Sequence, residues 1–236
     1  MSKDHKEDLF FIHSYQKKRT IEELIQESSL NQSYYFMLIF STIIVVAGII
    51  RNQTPIIIAA MLIAPLLKPV LTFSLSLVTR NLRLLLRSLA IMLISFGVVI
   101  LLGYAIGSYY PMGENISIIN SLNFDSLYFI IALFAGMAAT FTWTKQEVMS
   151  ELFSGVAIAV TVLPPLAFVG ISIASLDPKH TLLSAEIFGY NLGAITLGSI
   201  MVFVLSGFAV TKVEKKNIDK EIHKEIRKAD QKSKQK

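Results

Sequence analysis

The sequence predicts an all-α polytopic membrane protein with six transmembrane helices, arranged as two inverted three-helix repeats. Three observations lead to this prediction. Of the 236 residues, 53% are hydrophobic and only 17% are charged, whereas soluble domains carry about 25% charged residues. The apolar residues form six runs, each about long enough to cross a bilayer as a helix. Two of these runs carry prolines near their middle, at corresponding places in the two halves of the chain.

Composition and charge exclude several classes of protein. The chain has no cysteine, which excludes a disulfide scaffold and a thiolate metal site. Its hydrophobicity excludes a disordered chain. The net charge is +5, and residues 212–236 carry all of this excess, with ten Lys/Arg against five Asp/Glu. Because this basic segment directly follows an apolar run, we expect anionic lipid headgroups, and no nucleic acid, as its partner.

The apolar runs divide the chain into three parts. Residues 1–33 are expected to form a cytoplasmic N-terminal segment with a short amphipathic helix, whose start at Thr20 fits a capping box. No cleaved signal peptide is expected, because a charged segment precedes the first apolar run. Residues 34–211 form the transmembrane domain, and residues 212–236 form a basic cytoplasmic tail. The predicted spans are Tyr34–Ile50, Thr54–Thr79, Ser88–Gly107, Ser126–Trp143, Glu151–Ser175 and Ser184–Thr211.

The distribution of basic residues predicts the orientation. With six spans, the side of the membrane that holds both termini carries 19 Lys/Arg, and the opposite side carries only Arg51 and Lys179. Short cytoplasmic segments are enriched in Lys and Arg. We therefore expect a multi-pass protein of the cell (inner) membrane with both termini in the cytoplasm. Tyr34 and Trp143 are expected near the cytoplasmic interface, as members of an aromatic belt.

Spans 2 and 5 are interrupted by proline, at Pro65 and Pro69 in the first and at Pro164 and Pro165 in the second. Proline lacks the backbone N–H donor and clashes with the preceding turn of a helix. Paired interruptions at corresponding places in two halves indicate the binding site of a transporter. The alternative is a simple kink, since proline is tolerated in membrane helices.

The residues around these prolines resemble a known family. Residues 59–66 (AAMLIAPL), followed by Pro69, resemble a signature of a family of prokaryotic integral membrane proteins, the uncharacterised hydrophobic-domain family, a domain of unknown function. Residues 154–160 (SGVAIAV) with Pro164-Pro165 are similar to its second signature, and residues 191–195 (NLGAI) to its third. The resemblance covers about residues 34–210 and implies an integral membrane protein of this topology, without a solute. Lys68 stands where the family pattern suggests a small residue.

Lys68 lies near the centre of span 2. A lysine at this depth costs about 2.5–3.5 kcal/mol on membrane-insertion scales, and such residues normally face a cavity or a partner. Together with the positive end of a half-helix it would favour an anion. The alternatives are that the side chain snorkels to the cytoplasmic headgroups or makes a structural pair.

Three further polar residues are candidates for the solute path. Glu186 is either an entrance group or an acid that complements the dipole at a helix start. Asn191 either contacts the solute or makes hydrogen bonds between helices. Thr161 either lines the cavity or bonds its own helix backbone.

The predicted function is therefore a transporter or channel for a small solute, with an anion preferred and the path at the broken helices. The alternative is a non-transporting membrane sensor or scaffold that signals through its cytoplasmic ends. We expect no enzyme, no cofactor and no metal, because no catalytic or phosphate-binding motif occurs and all histidines lie outside the spans. A six-helix body is small for a transport path, so we also expect a homo-oligomer. Small residues at helical spacing, Gly103 with Gly107 and Gly189 with Gly193, suit close helix contacts.

Overall fold

The computed structural model describes residues 20–21, 24, 32–110, 126–145, 162–208 and 226–227. Within these ranges the secondary structure is helical and contains no strand, which confirms the all-α prediction. The helices with described bounds are α1 (Gln32–Ile50), α2 (Thr54–Ile63), α3 (Leu67–Thr79), α4 (Leu82–Tyr109), α5 (Ser126–Lys145), α6 (Val162–Ala174) and α7 (Pro178–Leu205).

Four of these helices, α1, α4, α5 and α7, are long and apolar enough to cross a membrane, and the bent pair of α2 and α3 makes a fifth candidate span. Helix α6 has the composition of a span but is shorter. The rest of the predicted fifth span, residues 151–161, lies outside the described residues. The structure therefore has the apolar helices of a membrane protein, and five of the six predicted spans have a described counterpart.

The predicted interruption of span 2 is confirmed, because α2 and α3 meet at a bend of 56°. The residue before a proline is pushed out of the α region, and Ala64, which precedes Pro65, has extended backbone angles (φ −67°, ψ 123°). Helix α2 therefore ends at Ile63. Helix α3 begins at Leu67, and Pro69 lies in its first turn, where a missing N–H breaks no intrahelical bond.

Helix α7 begins and ends earlier than the predicted span Ser184–Thr211. The Asp177 carboxylate accepts a hydrogen bond from the His180 backbone N–H at 3.2 Å, and a proline follows at the first helical position, where it is favoured. At the other end Gly207 has a left-handed φ of 75° and terminates the helix. The predicted span lies about six residues too late in the chain, because it was placed from hydropathy and not from the capping residue Asp177 and the terminating Gly207.

The two halves of the chain share a pattern of long helices and turns. Helices α4 and α7 each have 28 residues, and each follows a shorter helix, α3 or α6, with residues 162–174 as the described part of α6. Each short helix leads into its long neighbour through a turn that contains one residue with left-handed φ, Arg80 or Leu176. In each turn the next side chain, Asn81 or Asp177, caps the long helix.

The short helices α3 and α6 are the most buried part of the bundle. Nine residues of α3 are buried, and α6 is buried except at Pro164, Ile173 and Ala174. In contrast, only 33–44% of the apolar windows of α1, α4, α5 and α7 is buried. The long helices thus form an outer layer whose large apolar side chains face outward, as expected for a lipid-facing surface.

Glycines allow α6 to lie directly against α4. A Cβ atom at Gly170 would lie 2.3 Å from the Ile100 carbonyl oxygen, and one at Gly103 would lie 2.7 Å from the Ala167 carbonyl oxygen. Gly107, one turn after Gly103, meets Ile171, so the two helices run in the same direction where they touch. The expected close contact at Gly103 and Gly107 is confirmed, whereas the second predicted pair, Gly189 and Gly193, has no atom near the Cβ positions in the described chain.

A second glycine contact joins α5 to α7. A Cβ atom at Gly136 would lie 2.3 Å from the Ile195 carbonyl oxygen, and one at Gly198 would lie 2.2 Å from the Leu133 carbonyl oxygen. Distances this short leave no room for any side chain, because the opposing atoms are backbone. Neither glycine stands out in the sequence.

We predict that Gly198→Ala destabilises the protein, because its methyl group would push α5 away from α7. Overpacking of this kind costs about 1–3 kcal/mol. Gly193→Ala is the matched control on the same helix, where the methyl group meets open space and alanine favours the helix by about 1 kcal/mol. Thermal unfolding in detergent should show a lower Tm for Gly198→Ala and an equal or higher Tm for Gly193→Ala. Equal melting of the two variants would contradict the described helix contact.

Candidate functional site

The break between α2 and α3 lies about halfway through the bundle. Helix α3 packs against α4, to which it is joined by only two residues, Arg80 and Asn81. A helix of 13 residues is about 20 Å long and one of 28 residues about 42 Å, so α3 reaches back to the middle of α4. The contacts of Gly103 with Ala167 and of Gly107 with Ile171 place the start of α6 at a similar level of α4.

Lys68 is the second residue of α3 and lies against an aromatic ring. Its Nζ atom is 5.8 Å from the centroid of the Trp143 ring, which is the geometry of a cation–π contact. Of the alternatives left open by the sequence, structural pairing is thus observed. The Trp143 side chain is only 4% exposed, so it packs inside the protein. Its predicted position near the cytoplasmic interface stays a prediction.

The Trp143 indole carries a buried donor. Its Nε1 atom has no hydrogen-bond acceptor among the residues that the structure describes, although buried polar groups in proteins almost always have one. Leaving such a donor unsatisfied costs about 1–3 kcal/mol, so this N–H requires an acceptor that the described residues do not supply.

The start of α3 adds positive potential to the same region. No side chain caps this helix end, and the first N–H groups of a helix have no acceptor within it. The aligned peptide dipoles place about half a positive charge there. A lysine in the first turn is therefore in an unfavourable place unless an electron-rich group lies nearby, and the Trp143 ring is one such group.

The N-terminal segment packs beside this region. The Thr20 hydroxyl donates to the Trp143 carbonyl oxygen at 3.5 Å, and the Thr72 hydroxyl lies 3.2 Å from the Leu24 carbonyl oxygen and 2.9 Å from that of Lys68. Ile21 and Leu24 are buried. Thr20 of the predicted amphipathic helix therefore contacts α5, and Leu24 contacts α3. The contact with α3 was not predicted from the sequence.

The structure places the predicted prolines at helix ends. Pro65 is partly buried in the break, and Pro69 is buried in the first turn of α3. Pro164 is partly buried and Pro165 is buried, and both lie in the described part of α6. Thr161 lies outside the described residues, as does any interruption that precedes α6.

The two predicted site residues of α7 differ in their surroundings. Asn191 is buried on the helix that packs against α3. Glu186 is exposed and lies beyond the second turn of α7. Its interpretation as a helix-start acid is wrong, because the helix begins at Pro178 and Asp177 caps it. Hydrogen bonds from the His180 side chain and backbone lower the pKa of Asp177, so that the capping carboxylate stays ionised.

The contact of Trp143 with Lys68, and the contacts of Thr20 with Trp143 and of Leu24 with Thr72, were not predicted. A usable signal existed for Trp143, because it is the chain's one tryptophan and a lysine within a membrane span needs a partner. For Thr20 and Leu24 the apolar spacing indicated a buried face but not the helix that covers it.

Comparison with known proteins agrees with the resemblance noted in the sequence. The family described as "Domain of unknown function (DUF389)" matches residues 61–197, which include the break and helices α3 to α6. Uncharacterized protein MJ0678 from Methanocaldococcus jannaschii is 32% identical over 215 residues, which cover 87% of this chain and 67% of that protein. No solved structure matches the chain.

Proposed function

The chain belongs to the DUF389 family, and from this premise we propose that it is a membrane transporter or channel for a small solute, with an anion preferred. The solute path follows the broken helices, from the break at Pro65 past Lys68 and toward the start of α6. The observation that carries the proposal is the helix break at about the level of the middle of α4, with a lysine in the first turn that follows it. The proposal includes no catalytic step and no cofactor.

The position of the break supports a hydrated path. Non-helical backbone at membrane depth is tolerated only where it is buried in protein or lines a water-filled cavity. The break from Ala64 to Leu66 interrupts the series of backbone hydrogen bonds of the span at about the level of the middle of α4. Pro65 remains partly exposed there, so protein packing alone does not cover the break.

The packing of the two halves supports an inverted repeat. Helix α3 packs against α7, and α6 packs against α4, so each short helix lies on the long helix of the other half. Inverted repeats with discontinuous helices and a central site are typical of secondary transporters. We extend the proposal to six spans, with residues 151–161 completing the fifth span. Both termini are then cytoplasmic in the cell membrane, the basic tail contacts anionic lipids, and copies of the chain form a homo-oligomer.

The contacts of the chain ends favour a second candidate, a sensor or scaffold module. Leu24 is bonded to Thr72 of α3, and Arg87 of α4 donates to the Ile226 carbonyl oxygen at 3.5 Å. Such contacts would transmit a displacement of the N- or C-terminal segment to the central helices. This candidate needs no water at the break, and water access therefore discriminates between the two functions.

Cysteines introduced at Leu67 and Lys68 should react with a water-soluble thiol reagent in membranes, because a transport path must be wet. Thr161→Cys should behave in the same way if the path includes the predicted second interruption. The absence of native cysteine removes background labelling. Leu93→Cys is the control, because it lies at a similar level of α4 with its side chain exposed to lipid. Protection of all three path positions in every condition would exclude the transport function.

Lys68→Met should lower anion flux into proteoliposomes by about tenfold or more, because it removes the charge that offsets the cost of bringing an anion to mid-membrane. The measurement is a solute screen with the purified protein, and Lys68→Arg should retain much of the flux. Equal amounts of folded variant must be reconstituted. Unchanged flux of every anion in the Lys68→Met variant would remove the anion preference, and absence of any solute flux would favour the sensor or scaffold.

A further inference from the structure

The described residues that precede α1 are buried and contact α3 and α5. Thr20, Ile21 and Leu24 are each at most 1% exposed. The Thr20 hydroxyl donates to the Trp143 carbonyl oxygen of α5, and the Thr72 hydroxyl of α3 donates to the Leu24 carbonyl oxygen. The N-terminal segment is therefore attached at these points to the inside of the helix bundle.

These contacts lie beside Lys68, in the first turn of α3. The Thr72 hydroxyl, which bonds Leu24, also bonds the carbonyl oxygen of Lys68 at 2.9 Å. Trp143, which Thr20 bonds, carries the ring that the Lys68 ammonium group contacts. Thr72 follows Lys68 in the direction of the α3–α4 turn. The N-terminal residues thus lie between the helix break and the end of the bundle that this turn forms.

The attachment of the N-terminal residues is suited to release. The Thr20 bond, at 3.5 Å, is at the limit of a hydrogen bond. The Thr72 hydroxyl lies closer to its acceptor on Lys68, at 2.9 Å, than to that on Leu24, at 3.2 Å, so it keeps its shorter bond when Leu24 leaves. The attachment therefore depends mainly on the buried side chains of Ile21 and Leu24.

The chain between these residues and α1 allows such a release. Leu24 precedes the first residue of α1, Gln32, by eight residues. A chain of this length reaches about 26–29 Å when extended. Leu24 can therefore leave α3 while α1 stays in place.

We propose that Thr20, Ile21 and Leu24 form a removable plug, which closes the solute path beside Lys68 on the side of the α3–α4 turn. Transport by alternating access requires that a central site is closed on one side at a time. The inference rests on the proposed function, because only a path needs to be closed. It differs from the sensor, in which these contacts displace α3, because the plug opens the path while the helices keep their positions.

Labelling of Lys68→Cys from each side of the membrane tests the plug, because the chain has no native cysteine. A membrane-impermeant maleimide should label this variant slowly in inverted vesicles, which expose the cytoplasmic face where the proposed topology places the N-terminus. Adding Ile21→Ser and Leu24→Ser removes the apolar side chains that hold the plug and should raise this labelling rate by about tenfold or more. Ile49→Ser with Ile57→Ser is the matched control, since these side chains are equally apolar and buried but lie near the α1–α2 turn.

The chain's one tryptophan reports the position of the plug independently. The Trp143 side chain is buried when the plug is in place. Loss of the plug should therefore increase its quenching by acrylamide, a neutral quencher, and shift its emission to longer wavelengths. Leu24→Ala is a milder variant that retains Ile21, and it should give intermediate quenching and labelling.

The outcomes separate failure of the plug from failure of the transport function. Equal labelling of Lys68→Cys from the cytoplasmic side, with and without the plug substitutions, would overturn the plug and leave the path standing if the residue reacts from either side. Greater quenching of Trp143 without faster labelling would also overturn the plug, because the N-terminal residues would then pack on α5 without closing a path. Absence of labelling from both sides in every variant would refute transport, and the plug with it.

Discussion

The conformational restriction that Pro65 places on Ala64 is the constraint on which the rest of the structure depends. A residue before proline avoids the α region, and Ala64 is extended, so α2 must end there. The chain then carries a helix end in the middle of a bundle that is otherwise built to cross a membrane. Unpaired backbone groups in lipid would cost several kcal/mol each. The break can persist only if other helices surround it or water reaches it.

The burial pattern follows from this requirement. Helix α3, which begins at the break, is among the most buried helices, and the described part of α6, which contains Pro164 and Pro165, is buried to a similar extent. The four long helices surround them. Gly103 and Gly170 allow α6 to lie against the α4 backbone. Hydroxyl side chains such as those of Thr72 and Ser74 donate hydrogen bonds to carbonyl oxygens of their own helix, so these hydroxyl groups are satisfied without water. The centre of the bundle is thus formed by α3, which contains Pro69, and α6, which contains Pro164 and Pro165.

The sequence predicted those features that depend on local chemistry. The interruption at Pro65 and the new helix that contains Pro69 could be predicted, because proline acts within one turn of its own position. The helix start at Pro178 could have been predicted from Asp177, but hydropathy alone placed the span too late. The contact of Lys68 with Trp143 could not be derived, since one sequence carries no information on which distant residues meet. The burial of Leu24 against α3 has the same cause: its apolar face was visible, but its partner was not.

A solute path requires water at the helix break, and amide hydrogen exchange of the protein in lipid nanodiscs tests for this water most directly. The amides of Leu66 and Leu67 lie at the break, while that of Val99 lies near the same level within the unbroken α4. Exchange needs both an open hydrogen bond and access to water. If the break is hydrated, the two amides at the break exchange much faster than that of Val99. Equal protection at the three positions would contradict it, because the break would then be dry and could not be part of a solute path.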